Sequence, residues 1–313
     1  MKLLLPDSID LDVDAPPEVE TVVYAIDRPV PEEHTDAEAL VVWGNRPDQL
    51  KDTATRLTRL KWVQTLAAGP DEVLAAGFDP AIVITAGQGM HDVPVAEHAL
   101  ALVLAAARRQ NLLTRAQVGR RWAGELGGRQ PVVPVNDFRT LRGARVAIWG
   151  FGGIAATLAP HLAALGATVT GVARRAGERH GYPVVTVSDL PELLPQTDVL
   201  INILPATPDT RHAVDAKVLA LLPAHAWLVN VGRGATVDEA ALLAAIRAER
   251  LAGAALDVFE TEPLPPESPL WDEPNIIISP HAAGGRPIGA ADLIVHNLAA
   301  LRDGKPLLNV VNG

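Results

Sequence analysis

The stretch that most limits what this chain can fold into is ARVAIWGFGGIAATLAPHLAALGATVTGVARR, Ala144 to Arg175. Residues 146–149 form a short apolar run of the kind that makes a buried parallel strand. Gly150-Phe151-Gly152-Gly153-Ile154-Ala155 follows at once and reads G-x-G-x-x-A. An alanine-rich stretch with helical spacing runs to Leu165 and stops at Gly166, and 168–172 is a second β-rich run. Strand, glycine turn, helix and strand within about 30 residues is the setting that a dinucleotide-binding turn requires. Gly150 suits the tight turn, Gly152 lets the backbone approach a pyrophosphate, and Ala155 is small enough for close packing of helix on strand. Exposed N–H groups and the positive helix end then favour phosphates. The plainer alternative is an ordinary turn between strand and helix. Pro160 lies inside the predicted helix and is expected to remove one backbone bond and kink it.

The end of the second strand bears on which dinucleotide is bound. An Asp or Glu about 20 residues after the first glycine accepts hydrogen bonds from the ribose hydroxyls of NAD. Here the place reads Val172-Ala173-Arg174-Arg175, with no acid. Two guanidinium groups suit a 2′-phosphate, which they can grip bidentately. NADP is therefore expected as cofactor, with NAD second. The alternative for Arg174 and Arg175 is a pair of solvated surface charges.

A length of 313 residues allows two domains of about 100–200 residues each. Apolar residues make up 48% and charged residues 20%, enough apolar material for two cores. A formal charge of −10 argues against non-specific binding to nucleic acid or to an anionic membrane. There is no cysteine, which excludes disulfides, thiolate catalysis and cysteine metal sites. The apolar run in MKLLLPDSID is too short for a secretion signal, and 99–107 is too short to span a bilayer, so a cytoplasmic setting is expected.

Residues 1 to about 90 alternate strand-like runs (2–5, 21–26, 39–43, 62–66, 82–85) with helix-like ones (48–60, 71–76), which predicts a small parallel α/β unit. Residues 95–109 read as a long helix, apolar nearly all round and so expected to be buried, connecting into a second domain. Residues 119–143 read as an arm or surface loop. Further strands are expected at 183–187, 199–204, 226–231, 254–258 and 276–279, with Ser188 and Asp238 as helix caps. Residues 261–274 are proline-dense and read as loop, and 290–302 as a final helix.

Three strand ends in the second half carry chemistry. Leu228-Val229-Asn230-Val231-Gly232-Arg233-Gly234 ends at an arginine between two glycines. Ala255-Leu256-Asp257-Val258-Phe259-Glu260-Thr261-Glu262-Pro263 ends in acids, and Ile276-Ile277-Ile278-Ser279-Pro280-His281 in a histidine. Ligands of open parallel sheets bind at this carboxyl edge. Arginine can clamp a substrate carboxylate and polarise the neighbouring carbonyl. A histidinium can protonate the oxygen as hydride reaches carbon, and a carboxylate on its other nitrogen fixes the tautomer and raises its pKa. The set fits reduction of a 2-oxo acid. Taken singly, Arg233, Glu262 and His281 have structural alternatives: a salt-bridge partner, a solvated loop charge and a hydrogen-bonded strand-end histidine. His98, on the apolar helix, reads as buried and satisfied. The remaining histidines are unclustered, so no metal site is expected.

With the glycine turn at 150–155, VNVGRG, LDVFETEPLP and SPHAAGG, the chain resembles the D-isomer-specific 2-hydroxyacid dehydrogenases over nearly its full length. The resemblance implies Arg233 as substrate-binding residue, Glu262 as partner of the histidine, and His281 as acid/base. It implies a Rossmann-type doubly wound parallel sheet, residues 93–283, inserted into a smaller flavodoxin-like α/β domain, residues 1–92 with 284–313, which binds substrate. It also implies a homodimer, and substrate held between the domains with closure excluding water. VVWGNRP, LAAGPDEVL and HAAGGRP resemble the glyoxylate/hydroxypyruvate reductases, which commonly prefer NADPH. By that likeness the backbone around Ala68 and Gly69 holds the substrate carboxylate and Trp43 walls the pocket, although a plain core role suits that tryptophan equally. The candidate cofactor set is Gly150, Gly152, Gly153, Ile154, Arg174 and Arg175, joined by Leu204, Pro205, Val231, Gly232 and Asp257. Two other readings remain. One is formate or phosphite oxidation, against which Glu262 counts because formate-oxidising relatives carry an amide there. The other is a cofactor-sensing scaffold of the same fold.

Overall fold

A computed structural model describes residues 1–127 and 138–312. The chain divides into two compact units, Met1–His91 with Arg286–Gly313 and Asp92–Gly285.

In the first unit the strands are β1 (Lys2–Pro6), β2 (Glu20–Tyr24), β3 (Ala39–Val42), β4 (Trp62–Thr65) and β5 (Val83–Thr85), with α1 (Pro47–Arg56) and α2 (Asp71–Ala75). All pair in parallel in the order β2-β1-β3-β4-β5. β1, β3 and β4 are almost wholly buried, as strands are when both sheet faces are covered; β1 and β3 are continuous apolar runs, while β4 also buries Gln64 and Thr65. One face packs Leu4, Leu40 and Val63 against Leu50 of α1 and Val73 of α2. The other packs Leu3, Val41 and Trp62 against Ile294 and Leu298 of the C-terminal helix Ala290–Arg302. The helices expected at 48–60 and 71–76 are α1 and α2, the first ending at Arg56. Residues 7–19 join β1 to β2 with no helix: Ile9, Leu11, Val13 and Ala15 alternate with acids at a period of two, which is not helical, and pack on the core, and two prolines follow. The tail returns to β5, the edge strand: Ala86 N–H donates to Asn309 O (2.9 Å) and Val311 N–H to Ile84 O (2.9 Å). Asn312 closes the pairing by accepting from Ile84 N–H (2.8 Å) and donating to Ile82 O (2.7 Å).

The second unit opens with α3 (Asp92–Ala107), α4 (Gln110–Val118) and the short α5 (Gly124–Gly127). Residues 128–137 of the expected arm lie outside the described residues. Then follow β6 (Arg145–Trp149), α6 (Gly153–Ala164), β7 (Thr168–Val172), β8 (Gly177–Arg179), β9 (Tyr182–Val185), α7 (Leu190–Leu193) and β10 (Val199–Asn202). α8 (Ala216–Leu221), β11 (Trp227–Asn230), α9 (Glu239–Arg247), β12 (Gly253–Leu256) and β13 (Ile276–Ile278) complete it. The sheet order is β13-β12-β11-β10-β6-β7-β9-β8, parallel except for the β8–β9 hairpin. This is the doubly wound order, and it reverses direction at β6, where the glycine turn lies.

Strand alternation feeds two cores. Val146 and Ile148 of β6 face α3 and α6, while Ala147 and Trp149 face the α8–α9 side. α6 runs unbroken through Pro160. α3 buries Val95, Ala99, Leu102, Val103 and Ala106, but Val93 and Leu104 are exposed, so its apolar circumference is only part covered. Asp238 caps α9 by accepting from Ala241 N–H (2.9 Å). Ser188 is not a cap. Thr186 and Asp189 form a reciprocal capping box around the 187–189 turn, and Asp215, unforeseen, caps α8.

Candidate active site

The site is built from loops at the carboxyl ends of adjacent strands. Arg233 follows β11, Glu262 follows β12 and His281 follows β13. His281 Nδ1 lies 2.7 Å from Glu262 Oε2, and Glu262 Oε1 accepts from Phe259 N–H (2.9 Å). The carboxylate is thus oriented by its own turn before it meets the imidazole. His281 holds a left-handed φ of 51°, and its N–H donates to Asp257 O (2.7 Å). Such backbone costs on the order of 1 kcal/mol and persists only where neighbours enforce it.

The electrostatics couple these groups. The hydrogen bond to Glu262 raises the His281 pKa above the ordinary imidazole value; burial opposes it, the Glu262 and Asp257 charges add to it, and Arg233 opposes it. Burial pushes the Glu262 carboxyl upward, but the bonds from His281 and Phe259 and the charges of His281 and Arg233 outweigh it, leaving the group below its ordinary value. Both shifts favour the imidazolium–carboxylate form of the pair. The Arg233 guanidinium bonds back to Gly232 O (3.0 Å) and is half-buried.

A polar knot that sequence reasoning missed fixes the arginine turn. Asn202 Nδ2 donates to Asn230 Oδ1 (3.0 Å) and Thr236 Oγ1 (2.6 Å), all three residues being buried. Thr236 Oγ1 and Asn230 Nδ2 both donate to Arg233 O (2.6 and 3.3 Å). Their only sequence signal is an asparagine ending each of two apolar strands. Gly234 packs so tightly that a β-carbon there would lie 1.9 Å from the Phe259 carbonyl, which locks the arginine turn to the glutamate turn. Glu239 and Glu260 brace the outside: Glu260 N–H donates to Glu239 Oε1 (2.6 Å) and Glu239 N–H to Glu260 Oε1 (3.1 Å).

The glycine turn fits a dinucleotide. Gly150, at φ 100°, approaches Ile203 O so closely that a β-carbon would lie 2.7 Å from it. At Gly152 a β-carbon would meet nothing within 4 Å. Room beside the backbone at a helix start is what a pyrophosphate needs. Gly153 instead backs onto the Asp92 carboxylate, and Ile154 is half-buried beside it. Arg174 and Arg175 are exposed at the end of β7. A third guanidinium, Arg179 of β8, reaches back to Phe151 O (3.4 Å) and Arg175 O (3.2 Å). It went unnoticed because the β8 hairpin carries no apolar alternation. Leu204, Val231 and Gly232 are buried and Pro205 exposed, all at the ends of β10 and β11. Asp257, 1% exposed, has both carboxylate oxygens bonded by the chain itself: Oδ1 by Ser279 Oγ (2.6 Å) and Ala282 N–H (2.9 Å), Oδ2 by Ala283 N–H (3.0 Å). His98 is not simply enclosed; its side chain is one-quarter exposed and joins that network.

In the first unit Ala68 and Gly69 lie on the loop after β4, half-buried, where the Ala67 carbonyl accepts from Gly87 N–H (2.8 Å). Trp43 stacks on His91 with ring centres 5.4 Å apart and planes 16° off parallel. His91 is buried and donates from Nε2 to Leu66 O (2.8 Å), so the stack braces the 66–69 loop.

Residues 100–283 match the profile of the D-isomer specific 2-hydroxyacid dehydrogenase NAD-binding domain. The glyoxylate reductase of Aeropyrum pernix is 35% identical over 270 residues, 83% of this chain and 79% of that protein. The chain belongs to the D-isomer specific 2-hydroxyacid dehydrogenase family. Within the family it also resembles glyoxylate/hydroxypyruvate reductase A of Salmonella newport, at 40% identity over 172 residues; the match covers 53% of this chain and about half, 54%, of that protein. The crystal structure of a Sinorhizobium meliloti NADPH-dependent glyoxylate/hydroxypyruvate reductase, in complex with NADP and sulfate, superposes with a TM-score of 0.80. That match is 28% identical and covers 99% of this dehydrogenase and 97% of its counterpart. Membership makes the protein an NAD(P)-dependent enzyme of the 2-hydroxyacid dehydrogenase class and accounts for the Rossmann-type sheet.

Proposed function

We propose that this dehydrogenase reduces a small 2-oxo acid, glyoxylate or hydroxypyruvate first, to the D-2-hydroxy acid with NADPH. The observation that carries the reading is the His281–Glu262 bond of 2.7 Å beside the Arg233 turn. Arg233 clamps the substrate carboxylate and polarises the carbonyl. His281, with Nδ1 engaged by Glu262, gives its Nε2 proton to the carbonyl oxygen as that oxygen gains charge. The bound nicotinamide supplies the hydride. Gly150, Gly152, Gly153 and Ile154 would cradle the pyrophosphate, with Leu204, Pro205, Val231, Gly232 and Asp257 along the nicotinamide half. Arg174 and Arg175 would hold the 2′-phosphate, supporting NADP over NAD. The first unit, with Ala68, Gly69 and Trp43, would take the substrate carboxylate. A cytoplasmic homodimer completes the proposal; sedimentation tests the dimer.

Steady-state turnover of 2-oxo acids with NADPH and NADH tests the activity. Glyoxylate or hydroxypyruvate should lead the panel with NADPH preferred. Tight NADPH binding without turnover of any 2-oxo acid would instead identify a scaffold.

A further inference from the structure

His98 stands on α3 with Nε2 2.9 Å from Ser279 Oγ and 3.3 Å from Asp257 Oδ1. Ser279 Oγ is itself 2.6 Å from Asp257 Oδ1. A hydroxyl has one proton and an ionised carboxylate only accepts, so the serine proton goes to Asp257. Ser279 can then only accept from His98, and Nε2 of His98 must carry the hydrogen. The geometry thereby assigns a tautomer that ordinary coordinates leave open.

What this relay holds is the backbone around His281. The Asp257 carboxylate takes Ser279 Oγ on one side of that residue and the N–H groups of Ala282 and Ala283 on the other. The Asp257 carbonyl takes the N–H of His281 itself. One buried residue thus bonds the segment on both sides of His281, which holds positive φ, and His98 adds a further donor beside it.

We propose that His98 is a positioning residue for His281, acting through Ser279 and Asp257 to hold the imidazole against Glu262. The proposal rests on His281 being the acid of the reaction.

The test compares His98→Leu, His98→Gln, Ser279→Ala, the double variant His98→Leu/Ser279→Ala, and His281→Asn. It reads kcat and KM for glyoxylate with NADPH. Proton NMR of the cofactor-free protein follows the His281 Nδ1–H resonance bonded to Glu262. His98→Leu and Ser279→Ala should each lose about tenfold in kcat at little change in KM, as expected for one hydrogen bond to a charged group. Their resonance should broaden or vanish. The double variant should be no worse than either single, because both cut one relay. His98→Gln places an amide donor close to the Nε2 position and should restore most of kcat and the resonance. Unchanged kcat and an unchanged resonance in His98→Leu overturn the proposal, as does equal damage in His98→Leu and His98→Gln, which marks plain packing. Should His98→Leu not fold, Ser279→Ala, which deletes a single oxygen, decides by the same two readouts. Full turnover in His281→Asn would sink the acid role alone, since the resonance reports the pose of His281 without any reaction.

Discussion

Both parallel sheets bury side-chain amides, and they use them differently. In the second unit Asn202, Asn230 and Thr236 sit at the carboxyl ends of β10 and β11 and bond into the turn that carries Arg233. In the first unit Gln64 and Thr85 lie within β4 and β5, where Trp62 Nε1 donates to Thr85 Oγ1 (2.8 Å) and Thr85 Oγ1 to Gln64 Oε1 (2.8 Å). Asn297 of the C-terminal helix donates to the same Gln64 Oε1 (3.0 Å) and accepts from Leu308 N–H (2.8 Å). One network aims a loop; the other fastens a chain segment more than 200 residues distant in sequence. A buried amide costs free energy unless every partner is present, so each network enforces one arrangement. Where the enforced arrangement carries a reactive group, losing it should cost turnover. Where it carries only a helix, losing it should cost stability.

The largest effect sharpens the first half of that contrast. Arg233→Ala should lower kcat/KM for glyoxylate by about a thousandfold with folding intact, as removal of an oxyanion-stabilising donor does; near-normal turnover would leave the knot with nothing to aim. Glu262→Gln should lower kcat by about 10–100-fold and change the pH profile. The Glu262 bond is the chief cause of the raised His281 pKa, so the wild-type imidazolium survives to higher pH and reduction declines as pH climbs through that raised value. In the variant that alkaline decline should move to lower pH; movement the other way would contradict the pairing. Arg174→Ala/Arg175→Ala should raise the NADPH KM by about tenfold and leave the NADH KM almost unchanged, given charge-assisted phosphate contacts. Asn230→Ala should reduce kcat by about tenfold through a slackened arginine turn. The smallest effect on turnover belongs to the other network. Asn297→Leu should cost about 1–3 kcal/mol in chemical denaturation and leave kcat of the folded enzyme within about twofold. Equal losses of activity in Asn230→Ala and Asn297→Leu would break the comparison.

Much of this was legible in sequence, and the failures have causes. Strands β6, β7 and β10 to β13 are short apolar or β-rich runs, and β6, β10 and β11 are closed by Gly or Asn, so composition and punctuation reveal them, and their order places 233, 262 and 281 after neighbouring strands. β8 escaped because GERHGY has no alternation and is defined only by pairing with β9. The polar knot escaped because its members are 28 and 34 residues apart and meet only through sheet order. Ser188 looked like a cap because it is a serine before a helical run, yet Thr186 has the acid three places on that completes a capping box. His98 reads as buried and satisfied because its neighbours in sequence are apolar; it is hydrogen-bonded but one-quarter exposed, and its partners follow β12 and β13.

The tail that pairs with β5 has a consequence for biosynthesis. A ribosome delivers residues 92–285 before 309–312, so the larger sheet has all its strands while the smaller still lacks the chain that covers its border. Until then β5 offers unsatisfied peptide groups to any passing strand, the usual invitation to misassembly. Pairing of 309–312 with β5 withdraws those groups from any such partner.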